Sequence, residues 1–196
     1  MDKERFDNMK LHMQHCLAEA GLTAGQYERL MGLGYEQAPA SKSHHLNFVG
    51  GLVHHSLNVT DNILRLSREF GYRWPREESP YIVGMFHDLV KCKCYKLSGG
   101  EYKYVYPGWS GHGEASLTIA AVELGLELRP EEAAAIRHHM GLWGLSEKEV
   151  RDFNDALGIY SQPIIIAHTA DWWAARVDEE GEGSCLKNKP KESEVK

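Results

Sequence analysis

Tyr81-Ile82-Val83-Gly84-Met85-Phe86-His87-Asp88-Leu89-Val90-Lys91 is the stretch on which the fold turns. It is apolar nearly all round, so it is expected to be a helix at the centre of the domain. Yet a histidine and an aspartate sit side by side within it. Burying an imidazole and a carboxylate together is costly unless something satisfies both. A divalent metal ion would do so. Neighbours on a helix are about 100° apart, so His87 and Asp88 share no face. A metal at the helix surface between them is still within reach of both, and an aspartate can bridge two metals.

Upstream, Trp74-Pro75 and Ser79-Pro80 mark a connector, and Pro80 suits the first turn of the central helix. Before it a helix is expected from about Leu52 to Phe70, closed by Gly71. Its apolar stripe is Leu52, Val59, Ile63, Leu66 and Phe70. His55 lies three residues after Leu52 and four before Val59, so it points inward with that stripe. His54 points outward with Asn58, Asp61 and Arg65. Taken alone, His55 reads as a satisfied core histidine. Residues 38–51 read as a loop carrying His44 and His45. Residues 1–35 read as two helices: Phe6, Met9, Met13 and Leu17 recur at helical spacing, Gly21 ends the first, and Thr23 caps the second. His12 and His15 are expected to face solvent.

Downstream, Lys91 is three residues after Asp88, either a snorkelling surface lysine or within reach of that carboxylate or a bound anion. Around Ser98-Gly99-Gly100 the period changes to two, with Tyr95, Leu97, Tyr102, Tyr104 and Tyr106 alternating with polar residues. This predicts a β-hairpin. It is a structural flap, a lid or a base-stacking wall. His112 stands in a glycine-flanked turn before a helix from Ala115 to Leu124. Another helix opens at Arg129-Pro130-Glu131-Glu132 and runs to His138-His139, ending at Gly141. A short helix from Glu147 is expected within a connection over 142–161. Pro163 starts a final helix that carries His168 and Asp171 on one face and reaches Arg176.

The chain's 196 residues, 42% of them hydrophobic, suit one domain with a real core. A division into a helical extension over 1–37, a main domain over 38–177 and a disordered charged tail over 178–196 is expected. The net charge of −6 without a basic block disfavours non-specific duplex binding. No apolar run is long enough to span a membrane, and the charged N-terminus lacks the apolar core of a signal peptide. A cytoplasmic protein is expected. Cys16, Cys92, Cys94 and Cys185 form no disulfide framework, and Cys92-Lys93-Cys94 has no second pair for a zinc knuckle, so they read as ordinary reduced thiols. The eleven histidines include the pairs His44-His45, His54-His55 and His138-His139.

The candidate ligand set is therefore His55, His87, Asp88, His112, His138 and Asp171. Imidazole and carboxylate suit iron, manganese, zinc, cobalt or nickel. In this order the residues resemble the HD superfamily of metal-dependent phosphohydrolases, an all-α helical bundle. The likeness runs through Gly50-Gly51-Leu52-Val53-His54-His55-Ser56-Leu57-Asn58-Val59, His87-Asp88-Leu89-Val90-Lys91, Gly111-His112-Gly113, His138-His139-Met140-Gly141 and Ala170-Asp171. The first segment is especially similar to the HD domain of bacterial 3′–5′ exoribonucleases of the YhaM type. Those carry an OB-fold domain ahead of it, where this chain has only short helices, which disfavours a polynucleotide substrate. The resemblance implies that His55, His87, Asp88 and Asp171 bind one metal. It implies that His112 and His138, and only after them His139, add a second, and that His168 lies behind them.

It further implies hydrolysis of a nucleotide or small phosphoester by hydroxide formed on the metal, with Asp88 orienting the water or taking its proton. Lys91 and Arg176 are candidate phosphate contacts. Tyr104 and Trp109 are candidate base-stacking residues, and His44 and His45 approach from the loop. The same ligands would serve a di-iron oxygenase. A non-catalytic nucleotide-binding domain is the third reading.

Overall fold

The computed structural model describes residues 3–42, 46–109 and 111–179. His44, His45, Cys185 and the tail from residue 180 lie outside the described residues. The central stretch forms helix α4 (Ser79–Phe86), with Pro80 in its first turn and Ile82 through Phe86 all buried. The α-helix stops at Phe86, short of the His-Asp pair. From there the bonds tighten to three-residue spacing: the Lys91 amide donates to the Asp88 carbonyl at 2.9 Å and the Cys92 amide to Leu89 at 3.1 Å. The ring of His87 donates from Nδ1 to the Gly84 carbonyl at 2.9 Å, the acceptor that a continuing helix would use for Asp88. His87 and Asp88 thus occupy a turn rather than a helix. A short helix, α5 (Lys91–Cys94), follows.

Helix α3 (Gly51–Glu69) packs against α4 at unusually close range. A Cβ on Gly84 would lie 2.2 Å from Thr60 Oγ1 and 2.6 Å from Thr60 Cα. Only glycine lets the two helices meet there. His55 lies on the buried face of α3 as the wheel requires, but Phe70, expected on the same stripe, is exposed. It is the C-cap residue, one past the end of the helix, its amide still donating to the Leu66 carbonyl at 2.9 Å.

Helix α1 (Lys3–Glu19) packs on α3 and α4. Thr23 caps α2 (Ala24–Gly32) through a reciprocal capping box with Gln26. Met13, Leu17 and Leu30 belong to the same buried cluster as Val83, Phe86 and Ala170. The boundary expected near residue 37 is therefore no break in the packing.

Strands β1 (Tyr95–Ser98) and β2 (Glu101–Tyr104) form an antiparallel hairpin with Tyr95 opposite Tyr104 and Lys96 opposite Lys103. Its base closes where the Val105 amide donates to the Cys94 carbonyl at 2.8 Å. Helix α6 (His112–Thr118) runs into a π turn over Ile119–Glu123. It touches α7 (Pro130–His138) through Gly113, whose Cβ would fall 2.0 Å from the Arg137 carbonyl oxygen.

The helix expected from Glu147 and the one expected from Pro163 are both found, running together across a kink as α8 (Glu147–Trp173). Ser146 caps the first, and the expected break is the non-helical backbone of Tyr160, just ahead of Pro163. Helix α8 lies across α7 and α3. A second π turn, Ala174–Asp178, follows. The architecture is mostly α with one small hairpin. No described helix is long and apolar enough to cross a membrane.

Candidate metal centre

Five segments converge on Asp88. His55 comes from the first turns of α3, His87 and Asp88 from the turn after α4, His112 from the start of α6, His139 from just past α7, and Asp171 from α8. One Asp88 oxygen, Oδ2, lies 3.4 Å from both His55 Nε2 and His87 Nε2. The other, Oδ1, lies 2.5 Å from His112 Nε2 and 3.5 Å from His139 Nε2. Asp171 Oδ1 is 3.1 Å from His55 Nε2 and 3.9 Å from His87 Nε2. Single ligand atoms of His55, His87 and Asp171 lie within 4.8 Å of one another, as do those of His87, Asp88 and His139. His87 is common to both groups.

The outer side of each ring fixes what the inner side offers. His87 Nδ1 faces the Gly84 carbonyl at 2.9 Å, and His139 Nδ1 faces the Ile136 carbonyl at 2.7 Å. His55 Nδ1 faces the Glu179 carboxylate at 3.0 and 3.3 Å. Carbonyl and carboxylate oxygens only accept, so each Nδ1 carries the proton. In the neutral rings all three Nε2 atoms then present lone pairs. Those of His55 and His87 face each other at 3.2 Å, among carboxylate oxygens. His139 Nε2 is buried with no hydrogen-bond partner among the described residues. Lone pairs and carboxylates this close together need positive charge among them, which protons, the Lys91 ammonium or a metal ion can each supply.

The site's own charges show the same demand. Burial would lower the pKa of His55, but Glu179, Asp171 and Asp88 outweigh it and hold it well above the ordinary histidine range. Burial is likewise outweighed by Asp88 and Asp171 at His139, whose pKa is raised. At His87 burial wins and the pKa is lowered. Burial opposes ionisation of Asp88, yet Lys91, His87 and His112 hold it well below the usual carboxylate range. Asp171 is lowered too, burial being outweighed by His55 and His139. Protons on His55 and His139 can be exchanged for a metal.

Nitrogen and oxygen donors without sulfur fit the transition ions expected above. The nearby thiols take no part: burial pushes Cys92 up to about 12 and Cys94 up to about 11, so both stay protonated. The residues present therefore fit a metal.

His138, read as a ligand, is turned away from the cluster. Its ring packs edge-on against Phe153 at 5.4 Å, in a second small apolar cluster with Ala134 and Ile164. Its neighbour His139 takes the place beside Asp88. His139 follows the fully buried Ala135 and Ile136 by four and three residues, so it shares their inward face. His168 stands behind, donating from Nδ1 to the His139 carbonyl at 2.7 Å. Lys91 is no surface lysine. It is buried and ion-paired with Asp88 Oδ2, and Asp88 and Asp171 outweigh burial to raise its pKa.

The remaining substrate candidates stand apart from the cluster's contacts. Tyr104 is exposed on the hairpin, Arg176 is exposed on the second π turn, and Trp109 is half-buried with Lys93 Nζ 5.2 Å over its ring. Glu179, read as the start of a tail, is fully buried behind His55. No apolar period announces it. The site opens at His112 and Asp171, whose side chains are 31% and 17% exposed, against 1–2% for His55, His87, Asp88 and His139. No family model, curated protein or solved structure matches this chain.

Proposed function

We propose that the protein is a metal-dependent phosphohydrolase of the HD type, acting on a nucleotide or other small phosphoester. The observation that carries this reading is the convergence of three imidazoles on Asp88 and Asp171, each with Nδ1 engaged on its outer side and Nε2 turned toward the carboxylates. His55, His87, Asp88, His139 and Asp171 would hold one divalent transition ion or, with His112, two. Such an ion supplies Lewis acidity and lowers the pKa of water to about 7.

The chain's residues supply the rest. Asp88, kept ionised by Lys91, orients the attacking water. His112 sits at the mouth, 2.5 Å from Asp88, and is placed to carry a proton between the site and solvent. Lys91 supplies the nearest ammonium for a phosphoryl oxygen. Helix α5 joins Lys91 to the tyrosine hairpin, which supports a substrate with a ring to stack.

Metal analysis together with a hydrolysis screen of nucleotides and phosphoesters tests this reading. The wild-type chain is expected to hold divalent metal and release phosphate or nucleoside monophosphate. Asp88→Ala is expected to lose at least about a hundredfold in rate. Retention of both metal and turnover in Asp88→Ala overturns the proposal. Bound iron with oxygen uptake and no hydrolysis would assign the same ligands to an oxygenase.

A further inference from the structure

We infer that Glu179 is a positioning residue for the metal, and that metal loading and the docking of residues 174–179 on α3 are one linked equilibrium. The inference rests on the metal reading above and on neither the reaction nor the substrate. Both Glu179 oxygens lie within hydrogen-bond range of His55 Nδ1, and Oε1 also accepts from Asn58 Nδ2 at 3.0 Å. The carboxylate fixes the tautomer that leaves His55 Nε2 as a donor to metal. Its charge also makes the ring a stronger ligand.

Glu179 reaches this position through the widened turn, its amide donating to the Ala174 carbonyl five residues back at 3.0 Å. Four residues of α3 spaced three or four apart, His55, Asn58, Asn62 and Arg65, form a polar rail for the segment. Arg65 lies 5.1 Å over the Trp173 ring and donates to Asn62 Oδ1 at 2.9 Å, and Asn62 donates to Asp178 at 2.7 Å. Asn58 and His55 hold Glu179. Apart from Ala174, the segment's grip on α3 is polar, and such contacts are individually weak in water. A metal on the far nitrogen of His55 would fix the ring in the orientation that meets Glu179, and so strengthen that grip. Linkage is reciprocal, so the factor by which docking tightens metal is the factor by which metal tightens docking.

The test is titration of the full chain with Co(II), comparing wild type with Glu179→Gln, which keeps shape and removes charge, and with Glu179→Ala. Calorimetry gives affinity, and the cobalt d–d absorption reports on the ligand field. Hydrogen exchange of the amides over 174–179 is measured with and without Co(II). Both variants are expected to bind about 10–100-fold more weakly with an altered band. Co(II) is expected to slow exchange over 174–179 in wild type by a similar factor. Unchanged affinity and band in both variants overturn the inference while leaving the metal reading intact. Should the variants fail to fold, the wild-type exchange decides: protection over 174–179 that ignores Co(II) overturns the linkage. A wild-type chain that binds neither Co(II), Zn(II) nor Mn(II) removes the metal reading itself, and the inference with it.

Discussion

At the scale of the residue, two adjacent histidines separate what sequence conveys from what it conceals. Replacing His139 by Gln is expected to weaken divalent-metal binding by at least about tenfold, the scale of losing even an outer contact of a metal site. His138→Gln is expected to leave that affinity unchanged and to loosen only the packing against Phe153. Calorimetric titration of the two variants distinguishes them. His55 was separable from His54 because Leu52 and Val59 mark an apolar face on either side of it. His138 and His139 follow Ala133-Ala134-Ala135, a run with too little contrast to define a face. The run is buried on two sides, with Ala135 in the main core and Ala134 in the smaller cluster. Glu179 was illegible for another reason. Its place depends on a turn of five-residue spacing, and neither helical nor strand periodicity describes such a turn.

At the scale of the element, local chemistry was readable and its continuation was not. Thr23 and Pro80 announce the helix starts they make, and Gly99-Gly100 announces the hairpin. Pro163 likewise announces the second half of α8, but how short the break at Tyr160 is, and so how far the first half runs, was not readable. Long-range ties between elements left no trace either. Glu132 is buried in the first turn of α7, accepting from Arg76 at 2.7 and 2.8 Å, from Ser79 Oγ at 2.7 Å and from the Arg129 amide at 2.8 Å. It joins the connector, the start of α4 and its own cap. Burial alone would raise its pKa, but Arg76, Ser79 and the Arg129 amide lower it. A carboxylate lowered on folding stabilises the fold above its unfolded pKa, near about 4.3, and that contribution is lost as pH falls through the folded value. Glu132→Ala is expected to cost about 3 kcal/mol at neutral pH, the lower end for breaking a buried pair because Arg76 keeps some access to water. In urea melts over a pH series, the gap between wild type and variant is expected to close in acid. A gap that stays constant with pH would mean that packing, and not charge, holds the three elements.

At the scale of the whole molecule, a mostly helical fold with one hairpin followed from periodicity, because helices and the turn each leave a local signature. The pairing of helices did not. Gly84 and Gly113 set how closely α4 meets α3 and α6 meets α7, and an isolated glycine in a helix says nothing of which neighbour it admits. The candidate site exists only where those contacts hold, so a metal bound there would stabilise the fold. Saturating metal at a hundred times its dissociation constant is expected to add about 2.7 kcal/mol. In a chain of this size that raises the melting temperature by roughly 5–10 °C, and a chelator should reverse it. Thermal melts with and without added Zn(II) or Mn(II) measure the shift, and its absence would mean that the cluster is held by protons alone. The hydrogen bond from His55 to Glu179 joins positions 124 residues apart. Synthesis proceeds at about 5–20 residues per second, so on the order of ten seconds separates their emergence from the ribosome. Throughout that interval His55, and later the His87-Asp88 pair, is translated without its companions. A nascent chain cannot hold a complete site, so any ion it takes would be acquired only once Glu179 has emerged.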